Sequence, residues 1–330
     1  MEVNEGMRQR ASMQWKLRRR QLTVGVRTLV MGVVNITSDS FSDGGLYLNP
    51  QDAINHALRL LDEGADVLDL GAESTRPGSR VNSHAGDPEN AAVRATEEQA
   101  RLLPVLEAVL KARPDALISV DTYKASTARA AVLAGAEIVN DVSGLMWDEA
   151  MAATCAELSP GVVLMHTRGR PEQWRTQSTL AAEPLLAMVN DGLAASLRSA
   201  LDAGIAAESI VLDPGYGFGK RFDENYALLA RQAQLLALGR PLLAGVSRKS
   251  FLKRTLTERQ AATKNQTAST STPDPIDAES VETATIAALV AAILNGASIV
   301  RAHSVRSAQE AAAIADAVLD AVLDANRAAI

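Results

Sequence analysis

A six-residue pattern that occurs three times constrains the fold of this chain more than any other feature. Its copies, called hexads below, are Gly-Ala-Asp-Val-Leu-Asp at 64–69, Gly-Ala-Glu-Ile-Val-Asn at 135–140 and Gly-Ala-Ser-Ile-Val-Arg at 296–301. Each hexad follows an Ala- and Leu-rich stretch with helical periodicity, so its glycine is placed to end that helix. The apolar residues that follow predict a short strand that finishes on a polar side chain. Each hexad is therefore the helix-to-strand junction of a βα unit.

Other apolar runs extend this pattern to eight predicted strands with helical segments between them. The strands are predicted near 29–34, 66–71, 117–121, 137–140, 161–165, 209–213, 242–246 and 298–302. Their hydrophobicity is continuous rather than alternating, which indicates parallel strands that are covered on both faces. Eight such units favour an α/β fold of the (β/α)8 TIM-barrel type in a single domain. A doubly wound sheet is the alternative, and spacing alone leaves it open.

Segments outside this pattern set the predicted boundaries. Residues 1–26 are expected to form an N-terminal extension, and 27–330 the barrel. Within the extension, 15–18 and 21–26 are predicted to pair as a short hairpin that closes the bottom of the barrel. Two stretches are too polar to pack in a core and predict loop insertions. These polar insertions are predicted at 80–92 and 255–280.

Composition excludes several classes of function. The 330 residues are 47% hydrophobic and 22% charged, which allows a large buried core. The net charge of -6 argues against a dedicated binder of nucleic acid or anionic membranes. With Cys155 as the single cysteine, neither a disulfide framework nor a Cys/His zinc site can be assembled. The longest apolar run, 286–294, is too short to span a membrane, and no secretory signal opens the chain. We expect a cytoplasmic protein, with an organelle transit peptide as the alternative.

Polar side chains follow the predicted strands, and in a barrel all strand ends share one face. One group offers acceptors and an amide, which suits a heterocycle with a row of N–H donors beside a carbonyl that a lysine can reach. This group is Asp121, Asn140, Asp213 and Lys249. A second group offers donors, which suits a phosphate or diphosphate with Mg²⁺ bound through an asparagine oxygen. This group is Asn35, Arg76, Arg301 and His303.

Several of these residues also have structural explanations. Asp121 before Thr122 can cap the next helix, and Asp213 before Pro214 can form a turn. The glycine-rich stretch 214–220 lacks the spacing of a nucleotide-binding loop and is interpreted as a turn. We favour a buried core position for His166 over a catalytic base, because no triad partner can be named. Packing positions are also expected for Trp147 and Trp174.

Seven motifs, in order, resemble the dihydropteroate synthases of folate biosynthesis. They lie at 35–45, 71–79 (Gly-Ala-Glu-Ser-Thr-Arg-Pro-Gly-Ser), 121–124 (Asp-Thr-Tyr-Lys), 140–144 (Asn-Asp-Val-Ser-Gly), 212–220, 245–250 (Gly-Val-Ser-Arg-Lys-Ser) and 301–303 (Arg-Ala-His). The resemblance covers nearly the whole chain. It implies a pterin-binding transferase on a (β/α)8 barrel, using Mg²⁺ and acting as a homodimer. This enzyme would condense 6-hydroxymethyl-7,8-dihydropterin diphosphate with 4-aminobenzoate and release diphosphate and 7,8-dihydropteroate.

The resemblance also assigns roles by position. The pterin would be bound by Asp121, Asn140, Asp213 and Lys249. Diphosphate would be bound by Asn35, Arg76, Arg301 and His303, with the metal on Asn35. The aminobenzoate would contact Thr75, Pro77, Phe218, Arg248 and Ser250, with Phe41 and Asp43 on the first loop. The implied catalytic residues are Lys249, Asp121, Asp213, Arg301 and His303.

Departures from the family pattern keep two alternatives open. Ser304 follows the last histidine motif where the family has an aspartate, and the polar insertions adjoin the catalytic face. These features motivate a non-catalytic pterin-binding paralogue. The second alternative is a folate-dependent methyltransferase on a related barrel. This alternative is disfavoured because methyl transfer gives no role to the predicted diphosphate-binding residues Asn35, Arg301 and His303.

Overall fold

A computed structural model describes residues 10–36, 49–73, 88–266 and 275–328. Its strands are β1 (Met13–Lys16), β2 (Gln21–Val24), β3 (Leu29–Asn35), β4 (Val67–Gly71), β5 (Ile118–Asp121), β6 (Ile138–Asp141), β7 (Gly161–Met165), β8 (Ile210–Asp213), β9 (Leu242–Ala244) and β10 (Ala297–Ala302). β3 to β10 are parallel and close into a barrel in chain order, with β10 beside β3. The eight predicted strands and the TIM-barrel fold are confirmed, and the doubly wound alternative is excluded.

Helices alternate with the barrel strands and cover the outside of the barrel. They are α1 (Pro50–Asp62), α2 (Pro88–Ala112), α3 (Ala125–Ala134), α4 (Met151–Leu158), α5 (Ala182–Asp202), α6 (Asp223–Arg231), α7 (Ser250–Gln266), α8 (Ala278–Leu294) and α9 (Val305–Ala328). The main hydrophobic core lies between these helices and the strands. Within the described ranges, no helix combines the length and the apolar character needed to cross a membrane.

The hexads form the predicted junctions. Their glycines Gly64, Gly135 and Gly296 have φ angles of +96°, +121° and +94°, where an L side chain is strained, and each lies between a helix and the next strand. At Gly135 the backbone N–H donates to the carbonyl oxygens of Ala131 and Val132, which satisfies the end of α3. The chain then turns directly into β4, β6 or β10. The repeat thus starts three barrel strands in the same way.

The N-terminal hairpin closes the bottom of the barrel, as predicted, although β1 begins at Met13 and β2 ends at Val24. Trp15 of β1 is fully buried, and its indole Nε1 donates to the carbonyl oxygen of Ser209 at 2.9 Å. It packs in a second hydrophobic cluster with side chains from the barrel strands, among them Val67 of β4 and Ile299 of β10. The hairpin therefore covers the end of the barrel opposite the carboxyl ends of its strands.

The prediction of a polar loop over 255–280 is wrong for 255–266, which lie in α7, and for 278–280, which begin α8. Likewise, 88–92 of the second predicted insertion lie in α2, whereas 80–87 and 267–274 fall outside the described residues. The polar composition of α7 is that of a solvent-exposed helix with local contacts. Arg254 Nε donates to Glu258 Oε1 at 2.5 Å, and the Thr257 hydroxyl donates to the carbonyl oxygen of Lys253 at 3.0 Å.

Candidate active site

A cavity of about 680 Å³ opens at the carboxyl ends of the barrel strands. Ten residues that sequence analysis assigned to the site line it: Asn35, Asp121, Asn140, Asp213, Phe218, Arg248, Lys249, Ser250, Arg301 and His303. The remaining predicted site residues, Phe41, Asp43, Thr75, Arg76 and Pro77, lie outside the described residues. The predicted convergence of strand ends on one face therefore holds for every described member of the set.

The last residues of the three hexads meet inside the barrel. Asp69 of β4 accepts two hydrogen bonds at the same carboxylate oxygen, Oδ2. Asn140 Nδ2 donates to it at 2.9 Å, and Arg301 Nε donates to it at 2.6 Å. The sixth position of each hexad points into the lumen because it lies five residues after the glycine in all three copies and side chains alternate between the two faces of a strand. The repeat therefore brings a carboxylate, an amide and a guanidinium together.

Arg301 continues this network toward the mouth of the barrel. Its Nη2 donates to Asp121 Oδ2 at 2.8 Å, so one guanidinium bridges two carboxylates on β4 and β5. Its side chain is 20% exposed, whereas that of Asp69 is fully buried. The two acidic partners raise the pKa of Arg301 against the lowering effect of burial, and the group stays charged.

Burial shifts the pKa values of the groups around this arginine. Removal from water raises the pKa of Asp121 to about 7, although Arg301 acts in the opposite direction. The pKa of Asp213 is also raised by burial, while the Gly215 N–H that donates to its Oδ1 at 2.7 Å favours the ionised form. Burial and the charge of Arg301 lower the pKa of Lys249 to about 8. Titrating groups near neutrality in a cleft are typical of functional sites.

Aromatic side chains form one wall of the cavity. Lys249 Nζ lies 4.1 Å from the centroid of the Phe218 ring, and Phe218 contacts Trp174 edge to face with centroids 5.1 Å apart. Trp174 is buried and packs against Phe218, as predicted, and it also lines the cavity. It begins a short 3-10 helix, Trp174–Thr176, and sequence periodicity gives no information on which way so short a helix faces.

His303 is held by a neighbouring hydroxyl. Ser247 Oγ lies 2.9 Å from His303 Nδ1, and the His303 backbone N–H donates to the same oxygen at 3.3 Å. These two contacts with one oxygen fix the position of the imidazole at the end of β10. Ser247 lies within the 245–250 motif, and no role was predicted for it from the sequence.

Two structural interpretations from the sequence have different outcomes. Asp121 does not cap α3: the backbone N–H of Ala125 instead donates to Asp148 Oδ2 at 2.8 Å, a residue far along the chain. His166 is buried, as predicted, and burial lowers its pKa to about 2, so the imidazole is neutral. It does not line the cavity. The aspartate is therefore available to the site, and the histidine is not.

A second buried network supports the start of the loop that follows β4. Glu73, which lines the cavity, accepts from Tyr123 Oη at 3.0 Å and pairs with the Lys124 ammonium. Lys124 also pairs with Glu98 of α2 at 2.7 Å. These contacts connect the ends of β4 and β5 to α2. They give Tyr123 and Lys124 of the Asp-Thr-Tyr-Lys motif a positioning role.

Three comparisons identify relatives of this chain. Residues 31–303 match the model of a family described as "Pterin binding enzyme". The chain is 41% identical to the dihydropteroate synthase of Mycobacterium leprae over 86% of its own length and 90% of that protein. It is also similar to a Clostridium difficile dihydropteroate synthase structure determined in the presence of pteroic acid, with 38% identity, a TM-score of 0.73 and coverage of 89% and 98% of the two chains.

A third relative is the Xanthomonas albilineans dihydropteroate synthase with 4-aminobenzoic acid. It has 35% identity and a TM-score of 0.73, with coverage of 93% of this chain and 98% of that one. Coverage this complete leaves no large domain of these relatives without a counterpart here. The strand-end residues that form the cavity lie within the matched range 31–303. On this evidence the chain belongs to the pterin binding enzymes and, within them, to the dihydropteroate synthase family.

Proposed function

We propose that this protein is a dihydropteroate synthase that condenses 6-hydroxymethyl-7,8-dihydropterin diphosphate with 4-aminobenzoate. The observation that carries the proposal is that one cavity holds both acceptors for a pterin ring and donors for a diphosphate. Acceptors at Asp121, Asn140 and Asp213 lie beside the donors Lys249 and Arg301 in one cavity. Relatives determined with pteroic acid and with 4-aminobenzoic acid support the same substrates.

The acceptor side of the cavity suits the pterin ring. Carboxylates at Asp121 and Asp213 can accept from the ring N–H and amino groups, while Lys249 can donate to the ring carbonyl. Asn140 is fixed by its bond to Asp69 and presents an amide with a defined orientation. The cation–π contact of Lys249 with Phe218 holds its ammonium at the wall of the cavity.

The donor side suits the diphosphate leaving group. Arg301 and His303 would stabilise the negative charge that develops as the bond between the methylene carbon and the diphosphate oxygen breaks. The electron pair of that bond leaves with diphosphate, and the resulting positive charge spreads over the pterin ring. Carboxylates at Asp121 and Asp213 would stabilise that charge. Arg76, assigned to the same group by resemblance, lies outside the described residues.

A Mg²⁺ cofactor would be held in this arrangement mainly by the substrate, with few protein ligands. Among the described residues there is no group of three or more His, Cys, Asp or Glu side chains that could hold a metal ion. Magnesium bound with phosphates commonly uses few protein ligands and keeps several waters. The amide oxygen of Asn35, which lines the cavity, would provide such a ligand. When bound, the ion would supply additional stabilisation of the leaving group.

The nucleophile is the uncharged aromatic amine of 4-aminobenzoate. It attacks the methylene carbon, a C–N bond forms, and the nitrogen then loses a proton to diphosphate or water. Such an amine needs positioning more than activation, so no strong base is required. The neutral, buried His166 is consistent with that requirement. Phe218, Arg248 and Ser250 line the cavity where they could contact the aminobenzoate.

The non-catalytic paralogue loses part of its motivation. It was suggested by Ser304, in place of a residue that could orient His303. Ser247 lies within hydrogen-bond distance of both the ring and the backbone of His303, so the imidazole has an orienting partner. Active enzyme is therefore the better proposal. By resemblance to the same family we also propose a homodimer in the cytoplasm, to be tested by light scattering of the purified protein and by cell fractionation.

The deciding experiment measures diphosphate release by the purified protein with magnesium present. Release that requires both the pterin diphosphate and 4-aminobenzoate, with formation of 7,8-dihydropteroate, supports the proposal. Pterin binding by calorimetry without any turnover would instead identify the non-catalytic paralogue. Lys249→Ala, which removes the ammonium next to Phe218, is the inactive control.

A further inference from the structure

Asp69 has no role in the predicted substrate contacts, and it does not line the cavity. We propose that Asp69 is a positioning residue that holds Arg301 and Asn140 in the orientation required for pterin diphosphate. The inference rests on the proposed reaction, because it assigns Asp69 a role in that reaction through two other side chains. Asp69 itself would touch neither substrate.

The geometry supports a shared anchor. A single oxygen, Asp69 Oδ2, lies 2.6 Å from Arg301 Nε and 2.9 Å from Asn140 Nδ2. The first contact fixes the guanidinium plane, and the second fixes which end of the amide faces the cavity. One residue belongs to the leaving-group side and the other to the pterin side. A change at Asp69 would therefore affect both sides of the same substrate.

The complete burial of Asp69 argues that its contacts with Arg301 and Asn140 have a function. The side chain is fully buried, and its second oxygen, Oδ1, has no hydrogen-bond partner among the described residues. A buried carboxylate that leaves one oxygen unpaired is costly for folding. Val33, which pairs with Asp69 on the neighbouring strand β3, is apolar and buried. A carboxyl group in this place is explained by what it does for Arg301.

Asp69 occupies the same position in its hexad as its two hydrogen-bond partners occupy in theirs. Asp69, Asn140 and Arg301 occupy the sixth place of the three hexads, so their strands present them to the lumen in the same way. Two of the three line the cavity, and the third lies beneath and connects them. With a neutral amide at position 69 the contact with Arg301 would lose its charge, and among the described residues only the bond to Asp121 would remain an ion pair. The guanidinium would then be free to rotate toward that carboxylate and away from the diphosphate.

The test compares Asp69→Asn with Ser119→Ala, a matched control. Ser119 is the pairing neighbour of Asp69 on β5, is fully buried, and has a hydroxyl without a hydrogen-bond partner in the described part of the chain. For Asp69→Asn we expect kcat/KM for the pterin diphosphate to fall by about tenfold or more. The KM for 4-aminobenzoate should stay within about twofold, because that ring does not contact the anchored pair. Ser119→Ala should match wild type in both.

A double-mutant cycle separates positioning from a general structural effect. In an Arg301→Ala background, the further change Asp69→Asn should lower kcat/KM for the pterin diphosphate by less than about threefold, because the side chain that Asp69 positions is gone. The inference would be overturned if Asp69→Asn lowered kcat/KM by the same factor in both backgrounds, or if the Asp69→Asn single variant had wild-type kinetics.

Folding is checked by thermal unfolding of each variant. Asp69→Ser is the second variant if Asp69→Asn is not recovered folded. If neither folds while Ser119→Ala does, Asp69 is a structural residue and the positioning role is wrong. Wild-type protein that lacks aminobenzoate-dependent diphosphate release would refute the proposed function instead, independently of any Asp69 variant.

Discussion

Arg301 Nη2 donates to Asp121 Oδ2 at 2.8 Å, and this ion pair joins the last strand of the barrel to its third strand across the lumen. The same side chain is held from below by Asp69. A guanidinium between two carboxylates is fixed in place before any substrate binds. Preorganised charge of this kind needs little rearrangement during the reaction, which is what transition-state stabilisation requires.

The first prediction concerns Arg301. We expect Arg301→Ala to lower kcat by about 10²-fold or more, because the leaving diphosphate loses a fixed donor. Arg306→Ala, which removes an exposed arginine on α9, is the matched control and should leave turnover unchanged. Steady-state measurement of diphosphate release decides the matter. Wild-type turnover in Arg301→Ala would contradict the assignment to the leaving group.

The second prediction concerns the pterin side of the cavity. Lys249→Ala and Asn140→Ala should each abolish detectable binding of the pterin substrate, since each removes a buried polar contact to the ring. Isothermal calorimetry without 4-aminobenzoate measures this directly. Lys253→Ala changes an exposed lysine on α7, four residues after Lys249, and serves as the control. Unchanged pterin affinity in Lys249→Ala would mean that the ring binds elsewhere.

The third prediction is a narrow pH profile. Asp121 must be ionised to stabilise a cationic pterin, and its pKa is raised to about 7. Lys249 must be protonated to donate, and its pKa is lowered to about 8. Activity should therefore rise through the first value and fall above the second. Rate measurements across pH 5 to about 10 test this, and a flat profile between pH 5 and about 7 would exclude an essential Asp121 carboxylate.

Much of this site follows from the sequence, because strand ends in a barrel must meet. The hexads identify Asn140 and Arg301 as residues at strand ends, and the last residue of the first hexad, Asp69, shares that position. Its contact with the other two could have been expected from the repeat. The choice of Arg301 as its partner depends on side-chain reach across β3, which a sequence pattern does not determine.

Other features had no usable signal in the sequence. Asp148 caps α3 from a distant segment, so a cap search limited to neighbouring residues assigns that role to Asp121. From residue 255 onward α7 has no apolar stripe, and its threonines and charged residues therefore have the composition of a loop. α7 also packs against α8, a tertiary contact that periodicity along α7 does not show.

The fourth prediction links Asp121 to stability. A carboxyl whose folded-state pKa is raised gives stability that is present at low pH and is lost as pH rises through about 7. Asp121→Asn removes that loss and keeps an acceptor for Arg301. The melting temperature of the variant minus that of wild type should therefore be higher at about pH 8 than at about pH 5. Thermal unfolding of both proteins at the two pH values tests this. A difference, variant minus wild type, that falls or stays constant as pH rises would contradict the prediction.

The fifth prediction compares two glycines with similar backbone angles. Gly215, which follows Asp213 and Pro214, has φ +71°, and a Cβ there would lie 1.9 Å from the carbonyl oxygen of His166. Gly239 has φ +69° but no atom within 4 Å of such a Cβ. Gly239→Ala should cost about 1 kcal/mol through backbone strain alone. Gly215→Ala should cost about 3 kcal/mol or more, because the turn must open.

Denaturant unfolding of the two alanine variants and wild type measures this difference. Because the Gly215 N–H also fixes Asp213, the Gly215→Ala variant should lose pterin affinity in addition to stability, whereas Gly239→Ala should keep wild-type affinity. Equal stability of the two variants would show that the turn after β8 relaxes to accommodate a side chain. In that case the orientation of the Asp213 carboxylate would not depend on a rigid turn.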